Sequence, residues 1–219
     1  MTTRNLTFSV EEYYHIYNRG TDKRDIFCDE DDKKRFIKLL YLANGTKPFV
    51  FRDLPIGVPY VNIDKGEPIV AIGAYVLMGN HFHLLIKELQ EGGITKFISR
   101  VLTSYSSYFN KKYERTGGLF EGTFKATHAD TDEYLKYLFA YIHLNPVKII
   151  DPGWKEDGIT NREEAKKYLA KYGFSSYLEY IGISRQEGKI LDKSAFPGYF
   201  TEPKDFDGYI NDWLFYKTT

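Results

Sequence analysis

The sequence predicts an α+β fold in which an antiparallel-rich sheet carries packed helices. Three observations support this. The strand-like and helix-like runs alternate as strand, helix, two strands, helix, strand, helix. Two of the strand-like runs, Ile69 to Leu77 and His81 to Lys87, flank Met78-Gly79-Asn80, a hairpin signal. The helical runs repeat their apolar residues every three or four positions, as a helix packed on a sheet requires.

In chain order, YYHIYN at Tyr13 to Asn18 is the first strand, and Arg19-Gly20-Thr21-Asp22 is the turn after it. Asp29 caps a helix that reaches about Ala43, with Phe36, Leu39, Leu40 and Ala43 on its inner face, and Asn44-Gly45 stops it. Residues 46–68 carry Pro48, Pro55, Pro59 and Pro68 and are expected to form an insertion with one short hairpin. After the His81 strand, Ile94 to Tyr113 forms a long helix with Phe97, Ile98, Val101, Tyr105 and Phe109 on one stripe. Leu119 to His128 (LFEGTFKATH) is the fourth strand. Asp130 or Thr131 then caps a helix closed by Pro146. Residues 1–150 are thus assigned to one domain and 151–219 to a C-terminal helical or irregular extension, with helices at Arg162 to Tyr172 and Ser175 to Ile181.

The formal charge is zero, so any polyanion site must come from local clustering; residues 1–148 hold a slight basic excess. The single cysteine, Cys28, excludes an internal disulfide and fits a reducing compartment. No apolar run is long enough to cross a membrane, and MTTRNLTFSV has no signal-peptide core. A cytoplasmic location without membrane contact is expected.

The chemistry concentrates in MGNHFHLLI. On a strand, residues two apart share a face, so His81 and His83 project together and Phe82 points away. Two imidazoles on a rigid element are half of a metal site. In the helix ending at Pro146, Leu135, Leu138, Phe139 and Ile142 form the buried stripe, and Tyr141 and Asn145 share a face beside it. His143 falls on the opposite side, away from the histidine pair. A histidine-triad hydrolase would need a third alternating histidine where Leu85 stands.

Taken together, YNRG, YVLMGNHFHLLI, GGLFEGTFKATHADTDEYLKY and AYIHLNPVK resemble the HUH single-tyrosine transposases, and within them the REP-associated, IS200-like branch. That resemblance runs from about Tyr13 to Lys148 and implies a ferredoxin-like (palm-like) sandwich with its active site on the sheet. It implies Tyr141 as the nucleophile and His81, His83 and Asn145 as ligands of Mg²⁺ or Mn²⁺. The implied activity is cleavage and rejoining of single-stranded DNA near a hairpin through a 5′-phosphotyrosine. A free phenol ionises only near pH 10, so such a nucleophile needs help from a cation that polarises phosphorus. Two imidazoles are softer ligands than Mg²⁺ prefers, which favours Mn²⁺.

Arg19, Lys23, Arg24, Lys125 and Lys148 are the cations expected to contact DNA, with Phe120 or Phe124 stacking on unpaired bases. His15 and His128 are assigned structural roles. The resemblance leaves open a monomer or a homodimer that exchanges the tyrosine helix. The alternative function is a domesticated nucleic-acid-binding protein with little or no cleavage, which the neutral charge and the tail after residue 150 would suit.

Overall fold

The computed structural model describes residues 6–215. Its strands are β1 (Tyr13–Arg19), β2 (Val70–Leu77), β3 (His81–Glu88) and β4 (Lys125–His128). They form one antiparallel sheet in the order β2-β3-β1-β4. With α1 (Glu30–Leu42) between β1 and β2, and α2 (Gly93–Lys112) between β3 and β4, this is the ferredoxin-like arrangement. Next come α3 (Asp132–Leu144), the short α4 (Val147–Ile150) and α5 (Trp154–Asp157), then α6 (Arg162–Leu169), α7 (Tyr177–Tyr180) and α8 (Pro203–Phe215). Among the described residues no helix is long and apolar enough to cross a membrane.

The pleat of the strands sorts side chains into two cores. Tyr14 and Ile16 of β1 and Phe82, Leu84 and Ile86 of β3 face α1 and α2, meeting Phe36, Leu40, Phe97 and Val101. On the other face, Ala74, Val76 and Leu85 meet Leu138, Phe139 and Ile142 of α3. Asp29 caps α1 by accepting from the Asp32 N–H, and Thr131 caps α3 by accepting from the Tyr134 N–H.

Three expectations need correction. The fourth strand is shorter than Leu119 to His128. Its first part makes only a bridge from Phe120 to Gly20, and Gly122 then turns the chain at φ 64°, leaving β4 to begin at Lys125. The 46–68 insertion contains no hairpin. Its base closes through Thr46 N–H to Glu67 O (2.9 Å) and Lys47 N–H to Lys65 O (3.0 Å), but the interior holds only the single turns Phe51–Asp53 and Tyr60–Asn62. Tyr60, Phe51 and Val61 pack into the α1/α2 core, so this segment lies across the sheet from the histidine pair. Phe124 likewise turns into that core, which removes it from the expected stacking surface, while Phe120 packs on Phe82 and Tyr105 and is only partly buried.

The C-terminal extension covers α3 and the sheet. Residues 174–176 line up along the free edge of β2, with Leu77 N–H donating to Phe174 O (2.9 Å) and Ser176 N–H to Tyr75 O (3.0 Å). Leu169, Tyr177, Tyr180, Phe206 and Ile210 complete the core on the α3 side. The end of the tail sequence GYINDWLFYKTT, residues 216–219, lies outside the described residues.

Candidate active site

The β3 pleat turns His81, His83 and Leu85 toward α3, and the two imidazole centroids lie 5.1 Å apart. The turn before the strand orients the first ring. Asn80 Nδ2 donates to the Lys23 carbonyl (3.0 Å), which directs its Oδ1 at His81 Nδ1, 2.6 Å away. An amide oxygen only accepts, so Nδ1 carries the proton and neutral His81 keeps its lone pair on Nε2. His83 uses the same nitrogen: its Nδ1 lies 2.8 Å from His15 Nε2.

His15 therefore belongs to the site rather than to the scaffold alone. The readable signal was HIY, a histidine and a tyrosine two apart in β1. In the observed register Tyr17 sits opposite His83 and His15 opposite Leu85, so these rings share the α3 face. Only the strand pairing makes that visible. His128, on β4, pairs with Glu12 at the surface (2.9 Å).

Tyr141 comes from α3, whose apolar stripe holds it against the sheet. Its ring stands edge-on to His83 (5.4 Å, 83°) and to His15 (5.6 Å, 76°). Asn145 ends the helix, is buried, and donates Nδ2 to the Tyr141 carbonyl (2.9 Å). The atom it has left to offer a ligand is Oδ1. His143 points to the far side of α3, as its helical position predicts. Its Nδ1–H donates to Phe139 O (2.8 Å), its Nε2 accepts from the Ser176 hydroxyl (2.7 Å), and burial pushes its pKa down to about 3.

The donor set fits a divalent cation with open coordination positions. His81 and His83 each engage Nδ1 with a neighbour, the usual arrangement for a histidine that ligates through Nε2, and an amide oxygen suits a hard ion. Among the described residues no three His, Cys, Asp or Glu side chains are grouped to hold a metal.

Residues 66–145 match the family model described as "Transposase IS200 like". That stretch, which contains His81, His83, Tyr141 and Asn145, is thus similar to the IS200-like transposases. No curated protein matches the sequence. Among solved structures, a REP-associated tyrosine transposase bound to a REP hairpin is similar at TM-score 0.51 and 15% identity, over 90% of this chain and 98% of that one. The tRNA(His) guanylyltransferase of Saccharomyces cerevisiae is also similar, at TM-score 0.40 and 12% identity, over 94% of this chain and 86% of that one.

Beside the histidine pair opens a cavity of about 670 Å³. Arg19, Lys23, Lys125 and Lys148 line it together with His81 and His83, and Asp25 is the carboxylate in its wall. Four of the five cations singled out in the sequence therefore meet at one place. Arg19 is partly committed, through a close ion pair with Glu121 whose carboxyl it holds below the usual range. Arg24 does not line the cavity. It pairs with Asp22 (3.1 Å) and donates to Thr21 O (2.8 Å).

Proposed function

We propose that the protein cuts and rejoins single-stranded DNA beside a hairpin, with Tyr141 as nucleophile and Mg²⁺ or Mn²⁺ held by His81, His83 and Asn145. The observation that carries this reading is the edge-on contact of the Tyr141 ring with His83, next to a cavity walled by four cations. The similar solved structure is bound to a REP hairpin, which supports a DNA hairpin as the partner here.

The chain's own residues divide the task. Lys23, Lys125 and Lys148 neutralise backbone phosphates and draw the strand into the cavity. The α3 stripe fixes Tyr141, so its phenol oxygen approaches phosphorus from one direction only. The Tyr141 Oη–P bond forms as the P–O3′ bond breaks, the phenol proton passes to solvent, and the departing 3′ oxygen takes one up. A 5′-phosphotyrosine and a 3′-hydroxyl result. Attack of a 3′-hydroxyl on that phosphotyrosine reverses the step and joins strands without ATP. When bound, the cation supplies charge neutralisation at a nonbridging phosphate oxygen.

The test mixes the protein with single-stranded hairpin oligonucleotides of varied flanks, with Mg²⁺ or Mn²⁺, and looks for a covalent adduct on a denaturing gel. The adduct is expected to require metal and to vanish in Tyr141→Phe and His81→Ala. An adduct that survives Tyr141→Phe places the nucleophile elsewhere. Tight hairpin binding without any adduct would favour the domesticated binding protein instead.

A further inference from the structure

We infer that His15 is a positioning residue that holds His83 in the tautomer whose lone pair sits on Nε2, so that both strand histidines present the same nitrogen. This rests on the metal-ligand reading of His83. Both residues are buried, and the rings stack at 5.0 Å with His15 Nε2 2.8 Å from His83 Nδ1. His15 is itself wedged in place: Tyr17 stacks on it at 4.9 Å and Tyr141 meets it edge-on.

Two neutral imidazoles joined in this way share one proton in one of two arrangements. If His15 donates, His83 must carry its own proton on Nε2, the atom a cation would need. If His83 donates through Nδ1, its Nε2 is a base. The neighbouring ligand supplies the reference, because Asn80 Oδ1 can only accept and so forces the second arrangement on His81. A histidine without a partner carries its proton mainly on Nε2, the form unsuited to ligation there. The metal-ligand reading of His83 selects the same arrangement there, with His83 Nδ1–H donating to His15 Nε2 and His15 carrying its own proton on Nδ1.

The experiment uses the full chain, ¹⁵N-labelled at histidine and free of metal, and reads the tautomer of each ring from long-range ¹H–¹⁵N correlations at pH 8. His83 is expected as the Nδ1–H form. In His15→Ala it shifts toward Nε2–H, and Mn²⁺ binding, followed by electron paramagnetic resonance of the free ion, weakens about 10- to 100-fold. His15→Gln, whose side-chain oxygen reaches the position of Nε2, restores both. A wild-type His83 protonated on Nε2 overturns the inference, as does a folded His15→Ala with unchanged tautomer and Mn²⁺ affinity. A wild-type chain with the Nδ1–H form that takes up no Mn²⁺ supports the positioning role and overturns the metal assignment alone.

Discussion

Replacing Ser176 by alanine tests how the tail holds the helix that bears Tyr141. The Ser176 hydroxyl accepts from the Tyr75 N–H (2.9 Å) and donates to His143 Nε2 (2.7 Å), and all three residues are fully buried. Alanine leaves the Tyr75 N–H and the His143 nitrogen without that partner. A buried polar group stranded in this way costs about 1–3 kcal/mol, so the two together should cost about 2–6 kcal/mol. For a chain of this length each kcal/mol lowers Tm by about 2–4 °C, which puts the smallest expected drop at about 4 °C. The backbone bond from Ser176 N–H to Tyr75 O survives the substitution, so the segment stays along β2 and the loss reports the hydroxyl. Urea unfolding followed by tryptophan fluorescence measures it, with the m-value expected to be unchanged. A loss below about 1 kcal/mol would refute the reasoning, because it would mean that neither group depends on Ser176.

Acid should act at the same junction. His143 is held near pKa 3 in the folded chain against 6.5 ordinarily, so the unfolded chain binds the extra proton between those values. Stability from this group is full above pH 6.5 and falls by about 1.4 kcal/mol per pH unit as pH drops toward 3. Denaturant unfolding of wild type and His143→Gln between pH 6.5 and 5 should show a steeper wild-type slope, and equal slopes would contradict it. Lys125→Ala and Lys148→Ala should each weaken hairpin binding across sequences and reduce the salt slope by about 1, read by fluorescence anisotropy. Arg24→Ala should leave binding near wild type, since its guanidinium is engaged by Asp22 and Thr21 outside the cavity; a loss equal to that of Lys125→Ala would void the distinction. Gly73→Ala should destabilise by about 1–3 kcal/mol in a thermal melt. A Cβ there would come 2.6 Å from the Phe196 ring, and an unchanged Tm would show that residues around Phe196 can lift away.

The elements that were legible in the sequence are those whose burial repeats with a period. The α1, α2 and α3 stripes and the β2–β3 hairpin emerge because each has one face on a core. LFEGTFKATH misled because Leu119 and Phe124 are apolar for the sake of the α1/α2 core, while Gly122 breaks the pairing between them. His81, His83, Tyr141 and Asn145, the residues of the proposed site, were singled out from local spacing and the motifs around them. His15 was not, because its meeting with His83 depends on which strands pair and in what register. The tail was illegible for a similar reason. Its docking depends on backbone bonds to β2 and on scattered rings such as Tyr180 and Phe206 that have no regular period.

The chain from Tyr75 through Ser176 to His143 also bears on the stoichiometry of the proposed reaction. It fastens α3 to the sheet of the same polypeptide, so Tyr141 meets the histidines of its own subunit. Under the proposed function this intrachain arrangement predicts cleavage in cis, with adduct formed per protein molecule constant as the protein is diluted at saturating DNA, whereas a fall on dilution would point to exchange of the helix.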